Sequence, residues 1–196
     1  AEPEPLLTDQ VYRFYPNRFV ESCYWSITGR CNYRCRHCFV DGPEGSFGEL
    51  SHEQALDVIR QMAVCGVLRV DLSGGEPFVR EDFWELVDAL RAEQIVVETV
   101  YTNAWKLDEK VLEAFAEREM RPHFSISFDG LGWHDWMRGV KGAEKAALDA
   151  LALCRDRGFS TDVEMCIHQG NVAALGDTLL ALADLGVDSV KCSQVS

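Results

Sequence analysis

Apolar positions along this chain recur with two periods that take turns. Six short stretches, at 23–29, 67–72, 95–101, 123–128, 161–167 and 187–192, read as β-strands. Between them the apolar residues fall three and four apart, the spacing of a helix with one buried face. Ala55, Val58, Ile59, Met62 and Ala63 form one such stripe, and Phe83, Leu86, Val87 and Leu90 the next. Val111, Leu112, Phe115 and Ala116 make a short third stripe. Ala143, Ala147, Ala150, Leu151 and Cys154 belong to a long fourth, and Val172, Leu175, Leu179 and Leu182 to a fifth. Ser51 with Gln54 has the form of a capping box, and Gly66, Gly158 and Gly186 stand where helices close. Strands alternating with helices predict an α/β fold with a parallel sheet and right-handed crossovers. A partial (β/α)6 TIM barrel of parallel strands is the expected shape, with a flat doubly wound sheet as the alternative.

The strands carry a second pattern. Parallel strands covered on both faces read as continuous apolar runs, but several here alternate. Phe124, Ile126 and Phe128 oppose His123, Ser125, Ser127 and Asp129. Val163, Met165 and Ile167 oppose Asp162, Glu164, Cys166 and His168, and Leu68, Val70 and Leu72 oppose Arg69, Asp71 and Ser73. One face packs on helices, so the other is expected to line a wet cavity, with Arg69, Ser127 and Glu164 turned into it.

Composition narrows the setting. The 196 residues suit a single domain, read as a core at 21–196 behind an aromatic-rich extension at 1–20 containing Tyr12, Phe14, Tyr15 and Phe19. A net charge of −13 opposes nucleic acid and anionic lipid as main partners. No apolar run approaches a membrane span, and the opening AEPEPLLTDQ lacks the features of a signal peptide. Three of the eight cysteines fall within eight residues, which suits a reducing, cytoplasmic setting better than a disulfide framework. Cys23, Cys65, Cys154, Cys166 and Cys192 read as small buried hydrophobes.

The three clustered residues are Cys31, Cys35 and Cys38, spaced C-x3-C-x2-C directly after the first strand. No helix or strand turns all three thiols to one side, so they must come from an irregular loop. Strand C-termini are where βα barrels place their chemistry. Thiolates suit an iron–sulfur cluster or zinc, and three of them leave one metal position open. A second motif, Ser73-Gly74-Gly75-Glu76-Pro77, ends strand two; by itself it is a turn. Ser125-Ile-Ser127-Phe-Asp129-Gly130 ends strand four, and Thr102-Asn103 ends strand three.

With these residues in place the chain resembles the radical S-adenosylmethionine (SAM) superfamily, whose signature is C-x3-C-x-aromatic-C. His37 stands in the aromatic slot. The resemblance implies a 4Fe–4S cluster on Cys31, Cys35 and Cys38, with SAM chelated at the open iron. It implies SAM contacts from His37, Gly74, Gly75, Glu76, Thr102, Ser127 and Arg138. The glycines would let backbone approach the methionine part of SAM, and Glu76 would stand near its ammonium. Ser127 would bond a ribose hydroxyl. Arg138, in the stretch Arg-Gly-Val-Lys-Gly142, would either pair with the SAM carboxylate or be a solvated loop charge. One-electron cleavage of SAM to methionine and a 5′-deoxyadenosyl radical is the implied chemistry, with hydrogen abstraction from substrate and an external electron donor of flavodoxin or ferredoxin type.

The S-x-D-G and R-G-x-x-G stretches are similar to the branch with a C-terminal cysteine-rich domain, SPASM or twitch. Many of its members modify ribosomally made peptides, so a peptide substrate is expected. The alternatives are a small molecule in cofactor, sugar or antibiotic biosynthesis, and a non-catalytic Fe–S module. The chain is expected to stop short of such an auxiliary domain. His168 and Lys191, at the ends of strands five and six, are further candidates for a substrate cavity. Trp133 and Trp136, flanking His134, are expected to pack in the core.

Overall fold

The computed structural model describes residues 20–38 and 48–194; the extension at 1–20 lies almost wholly outside them. Six strands follow in order: β1 Ser22–Thr28, β2 Arg69–Gly74, β3 Val96–Thr102, β4 His123–Ser127, β5 Thr161–Ile167 and β6 Ser189–Gln194. The helices are α1 His52–Val64, α2 Phe83–Ala92, α3 Glu109–Glu117, α4 His134–Arg138, α5 Ala143–Arg157 and α6 Leu175–Asp184. Every neighbouring pair of strands is parallel, and the sheet order is β1-β2-β3-β4-β5-β6. Because the order never reverses, successive crossovers step the same way and the sheet curls. A doubly wound sheet needs a reversal point, so the partial (β/α)6 barrel is the observed shape. β1 and β6 form its edges.

The expected helix ends are present. Ser51 and Gln54 make the reciprocal capping box of α1, and Gly158 closes α5. Asp108 caps α3 by accepting from the Val111 amide. The core lies between the convex face of the sheet and the helices. Val70, Leu72, Val100, Phe124, Ile126 and Val163 meet Ile59, Leu86, Leu90, Phe115 and Leu151 there. Phe115 is fully buried and meets Phe83, Trp84 and Phe124 edge to face.

The polar strand positions face the other way, and those near the C-terminal ends, Ser73, Ser125, Ser127, Glu164 and Cys166, line one cavity. Arg69 departs from the expectation. It sits at the opposite end of β2, away from that cavity, and pairs with Glu21 and Glu98. A one-residue bulge at Glu98, where Val70 faces Val97 but Asp71 faces Thr99, explains how Glu98 comes to pair with it.

Of the cysteines read as buried, only Cys154 is; Cys23, Cys65 and Cys166 are half-buried and Cys192 is exposed. Cys192 lies on an edge strand, where no neighbouring strand covers it. Replacing Phe115 by Ala is expected to cost about 3–5 kcal/mol in chemical denaturation, because three aromatic rings lose their common partner.

Candidate active site

Cys31, Cys35 and Cys38 lie on the loop after β1, and all three line a cavity of about 390 Å³ at the C-terminal ends of the strands. That volume is in the range of small-molecule sites. The loop is pinned at several points. Arg80, itself buried, donates to Ile27 O at 2.5 Å and Leu50 O at 3.1 Å while its other edge binds Asp82. The Arg36 amide donates to Met137 O at 2.8 Å, and that of Arg34 to Arg138 O at 3.3 Å. The Arg36 side chain donates to Trp136 O and stacks 4.5 Å over the Trp136 ring. Short α4, which the apolar pattern did not show, is thus the clamp on the cysteine loop.

The Gly74-Gly75-Glu76 turn is fixed by its own neighbours. A Cβ on Gly74 would stand 2.3 Å from Thr28 O, and one on Gly75 would stand 2.2 Å from Arg30 O. The Gly75 amide donates to Thr28 O at 2.8 Å and that of Glu76 to Arg30 O at 2.9 Å. The glycines are therefore demanded by close passage of the β2 turn against the root of the cysteine loop. Glu76 is fully buried. Its carboxylate accepts from the Phe78 amide, from Thr102 Oγ1 at 2.9 Å and from the Asn103 amide at 2.7 Å. Burial pushes its pKa up to about 7 against those three donors. Glu76 stands behind the cavity wall, tying the end of β2 to the end of β3.

The wall itself is made by strand ends. Asn103 Nδ2 donates to Asn32 Oδ1 at 2.8 Å and reaches Cys31 Sγ at 3.8 Å. The Thr102 hydroxyl, given to Glu76, also accepts from the Ala104 amide. Ala104 holds φ +64°, the left-handed conformation for which a Thr-Asn-Gly stretch would carry glycine. Ser127 lines the cavity beside Glu164, its register partner on β5. Burial raises the pKa of Glu164.

Arg138 is a buried cavity residue, not a solvated loop charge. It binds Asp129 through Nε at 2.7 Å and Nη2 at 3.2 Å, and Nη1 reaches Cys35 Sγ at 3.8 Å. Asp129 also accepts from the Cys166 amide at 3.0 Å. Burial works upward on Asp129, but His134, Arg138 and the Cys166 amide hold its carboxyl down at about 2. His134 Nδ1 accepts the Asp129 amide at 3.0 Å, and burial lowers the pKa of its ring.

His37 lines the cavity with its Nδ1 buried and without a hydrogen-bond partner, and burial lowers its pKa. A ring nitrogen of His37, an Asp129 oxygen and Cys166 Sγ lie within 4.8 Å of one another. The Asp129 oxygens are already taken by Arg138 and Cys166, so this trio is not a second metal centre.

The donor set fits an iron–sulfur cluster. Three thiols converge on one cavity, and burial pushes Cys31 up to about 11 and raises Cys35 against the pull of Arg138. Burial favours the protonated thiols, and a bound metal centre would supply the positive charge that displaces their protons. Cys31, Cys35 and Cys38 would hold the cluster. The rest of the cavity, with Ser127 and the backbone at Gly74 and Gly75, leaves room beside them for a second group.

Other sequence candidates fall elsewhere. His168 accepts from the Gly170 amide and sits between the rings of Trp133 and Trp136. Lys191 pairs with Asp162 at 2.7 Å. The tryptophans are not core residues: Trp136 is 48% exposed, because the pair stacks around His168 at the rim instead of under the sheet. Sequence reasoning missed Arg80, Asp129 as partner of Arg138, and Cys166 as a lining residue. For Cys166 the signal was present, since it belongs to the polar set of β5.

The structure is a partial βα barrel with three cysteines on the loop after β1 and a cavity over its strand ends. The sequence matches the radical SAM superfamily over residues 25–191, and the chain belongs to that family. It is 31% identical to the pre-heme d1 synthase of Dinoroseobacter shibae, over 95% of this chain and 48% of the relative. It is 34% identical to the mycofactocin maturase MftC of Mycolicibacterium smegmatis, over 93% of this chain and 46% of the relative. The fold is similar to that of Streptococcus suis SuiB bound to its precursor peptide SuiA, with TM-score 0.76 at 17% identity, covering 96% of this chain and 43% of SuiB. The chain thus spans about half the length of the curated relatives it matches. The family uses a 4Fe–4S cluster and SAM, and the cysteine loop and cavity accord with both.

Replacing Gly75 by Ala is expected to lower stability by about 2–3 kcal/mol, since backbone on both sides of the contact must give way. Denaturant titration of the metal-free protein reads this separately from any effect on the cluster.

Proposed function

We propose that this chain is the core of a radical SAM enzyme that modifies a ribosomally made peptide. The observation that carries the enzymatic reading is the convergence of Cys31, Cys35 and Cys38 with the Gly74–Gly75 turn and Ser127 on one cavity. When bound, the cluster supplies one electron to SAM, whose cleavage gives methionine and a 5′-deoxyadenosyl radical that takes a hydrogen atom from substrate. The chain's own residues hold and orient. The thiolates bind metal, Ser127 offers a hydroxyl to the nucleoside, and the Gly74–Gly75 backbone forms the floor between β1 and β2. His37, Thr102 and Arg138 complete the SAM surroundings, and Glu76 acts on them from behind by fixing the ends of β2 and β3.

Support for a peptide substrate comes from likeness to mycofactocin maturase and to the subtilosin biosynthesis protein AlbA, and from a fold shared with SuiB. The polar concave face, lined by Ser73, Ser125, Ser127 and Glu164, suits the polar backbone of an extended chain. A second reading, a porphyrin-type cofactor precursor, is favoured by likeness to pre-heme d1 synthase and to the Fe-coproporphyrin III synthase of Methanosarcina barkeri. No helix among the described residues is long and apolar enough to cross a membrane. We place the enzyme in the cytoplasm, reduced by a flavodoxin or ferredoxin.

Anaerobic reconstitution with iron and sulfide is expected to load about four iron atoms per chain, and dithionite with SAM to yield 5′-deoxyadenosine. Cys35→Ala is expected to abolish both; a variant that keeps either one overturns the ligand assignment. Faster 5′-deoxyadenosine formation with a precursor peptide than with a porphyrin supports the peptide reading, and the reverse supports the second.

A further inference from the structure

Asp129 and Arg138 form a buried ion pair in a place where apolar side chains could fill the volume. An ion pair taken out of water is a poor source of stability. What it does that apolar residues cannot is aim a charged N–H group. The guanidinium is a planar fork with donors on three nitrogens. Nε and Nη2 are both spent on Asp129, and Nη1, fixed by the plane of the other two, reaches Cys35 Sγ at 3.8 Å.

The anchor is itself held from three sides. The Cys166 amide donates to Asp129 Oδ1, Asn171 Nδ2 donates to Asp129 O at 2.8 Å, and the Asp129 amide donates to His134 Nδ1. The other end is fixed too, since the Arg34 amide donates to Arg138 O and that of Arg36 to Met137 O. Cys31 also meets a side-chain donor, Asn103 Nδ2 at 3.8 Å, but that donor is neutral.

We propose that Asp129 is a positioning residue that aims Arg138 at Cys35, and that the Arg138–Cys35 hydrogen bond raises the reduction potential of the cluster held by that thiolate. The inference rests on the cluster reading given above. Its physical basis is that reduction adds negative charge to the cluster and its thiolates. A positively charged donor beside one sulfur stabilises the reduced state more than the oxidised one.

The test is a redox titration of the reconstituted cluster followed by electron paramagnetic resonance, without SAM. Iron and sulfide content and circular dichroism are measured on the same samples. If the wild-type chain binds no cluster, the cluster reading fails and this inference falls with it; if it does, the midpoint decides. Arg138→Met at wild-type iron content is expected to move the midpoint negative by at least a tenfold change in the reduction equilibrium, about 59 mV for one electron. An unchanged or more positive midpoint overturns the proposal.

Arg138→Lys keeps the charge but cannot hold Asp129 bidentately and reach the sulfur together. It is expected to shift in the same direction by less, and a wild-type midpoint in this variant overturns the role of the aimed hydrogen bond. Asp129→Asn separates aim from charge. Removing a negative charge alone would raise the midpoint, whereas losing the aim lowers it, so a rise overturns the positioning role. Should none of the variants hold a cluster, the wild type loaded with guanidino-15N arginine decides. Its reduced cluster is expected to show a nitrogen coupling in pulsed resonance spectra, and no coupling overturns the contact.

Discussion

The ends of β2 and β3 meet at the buried carboxylate of Glu76. Its oxygens take the Phe78 amide, the Thr102 hydroxyl and the Asn103 amide, which locks the turn after β2 to the end of β3. On the other side the same turn runs so close to Thr28 and Arg30 that only glycine fits at positions 74 and 75. A buried carboxylate is costly unless every oxygen is satisfied, and here both are. The root of the cysteine loop, the floor of the cavity and the Asn103 donor therefore move as one unit. The spatial relation of the three thiols to the rest of the site depends on this junction.

The opposite wall is built on a different logic. Its polar groups belong to the Asp129–Arg138 pair and to the backbone of α4, which clamps the cysteine loop through Arg34 and Arg36. The cysteines thus lie between two buried carboxylates in unlike states. Glu76 meets neutral donors and burial raises its pKa to about 7; Asp129 meets a guanidinium and is held down at about 2. On the α4 side the negative charge is neutralised by the arginine, whereas on the β2 side Glu76 adds to the upward shift of the Cys31 thiol.

The concave face surrounds the cavity with polar groups. Serines on β2 and β4, with Glu164 and Cys166 on β5, present hydroxyls, a carboxylate and a thiol to the cavity. A polar lining of this kind can hold a nucleoside by hydrogen bonds. Among the described residues β1 and β6 are the two edges of the sheet. Trp133, Trp136 of α4 and His168 pack together as one aromatic cluster.

Much of this was legible in the chain because it rests on local rules. Strand and helix periods follow from which residues must face the core, so the six strands could be placed within a residue or two and an apolar stripe found for five of the helices, although the fifth stripe starts at Val172, in the turn ahead of α6. The spacing Cys31-x3-Cys35-x2-Cys38 by itself determined a loop-borne thiol site, and the alternation in β4 and β5 determined a polar concave face. Helix α4 escaped because five residues are too few to show a period. Arg80 and Asp129 escaped because the partners that give them their roles, Ile27 for the first and Arg138 and Cys166 for the second, lie 53, nine and 37 residues away. A charge in a sequence shows nothing about the carbonyl or sulfur it will meet. Gly74 and Gly75 were legible as glycines, yet their reason, the carbonyls of Thr28 and Arg30, exists only once β1 and β2 lie side by side. Residue type and spacing settle what the site is made of; which buried groups meet one another, and hence how the site is charged, is decided when strands distant in sequence are brought into register.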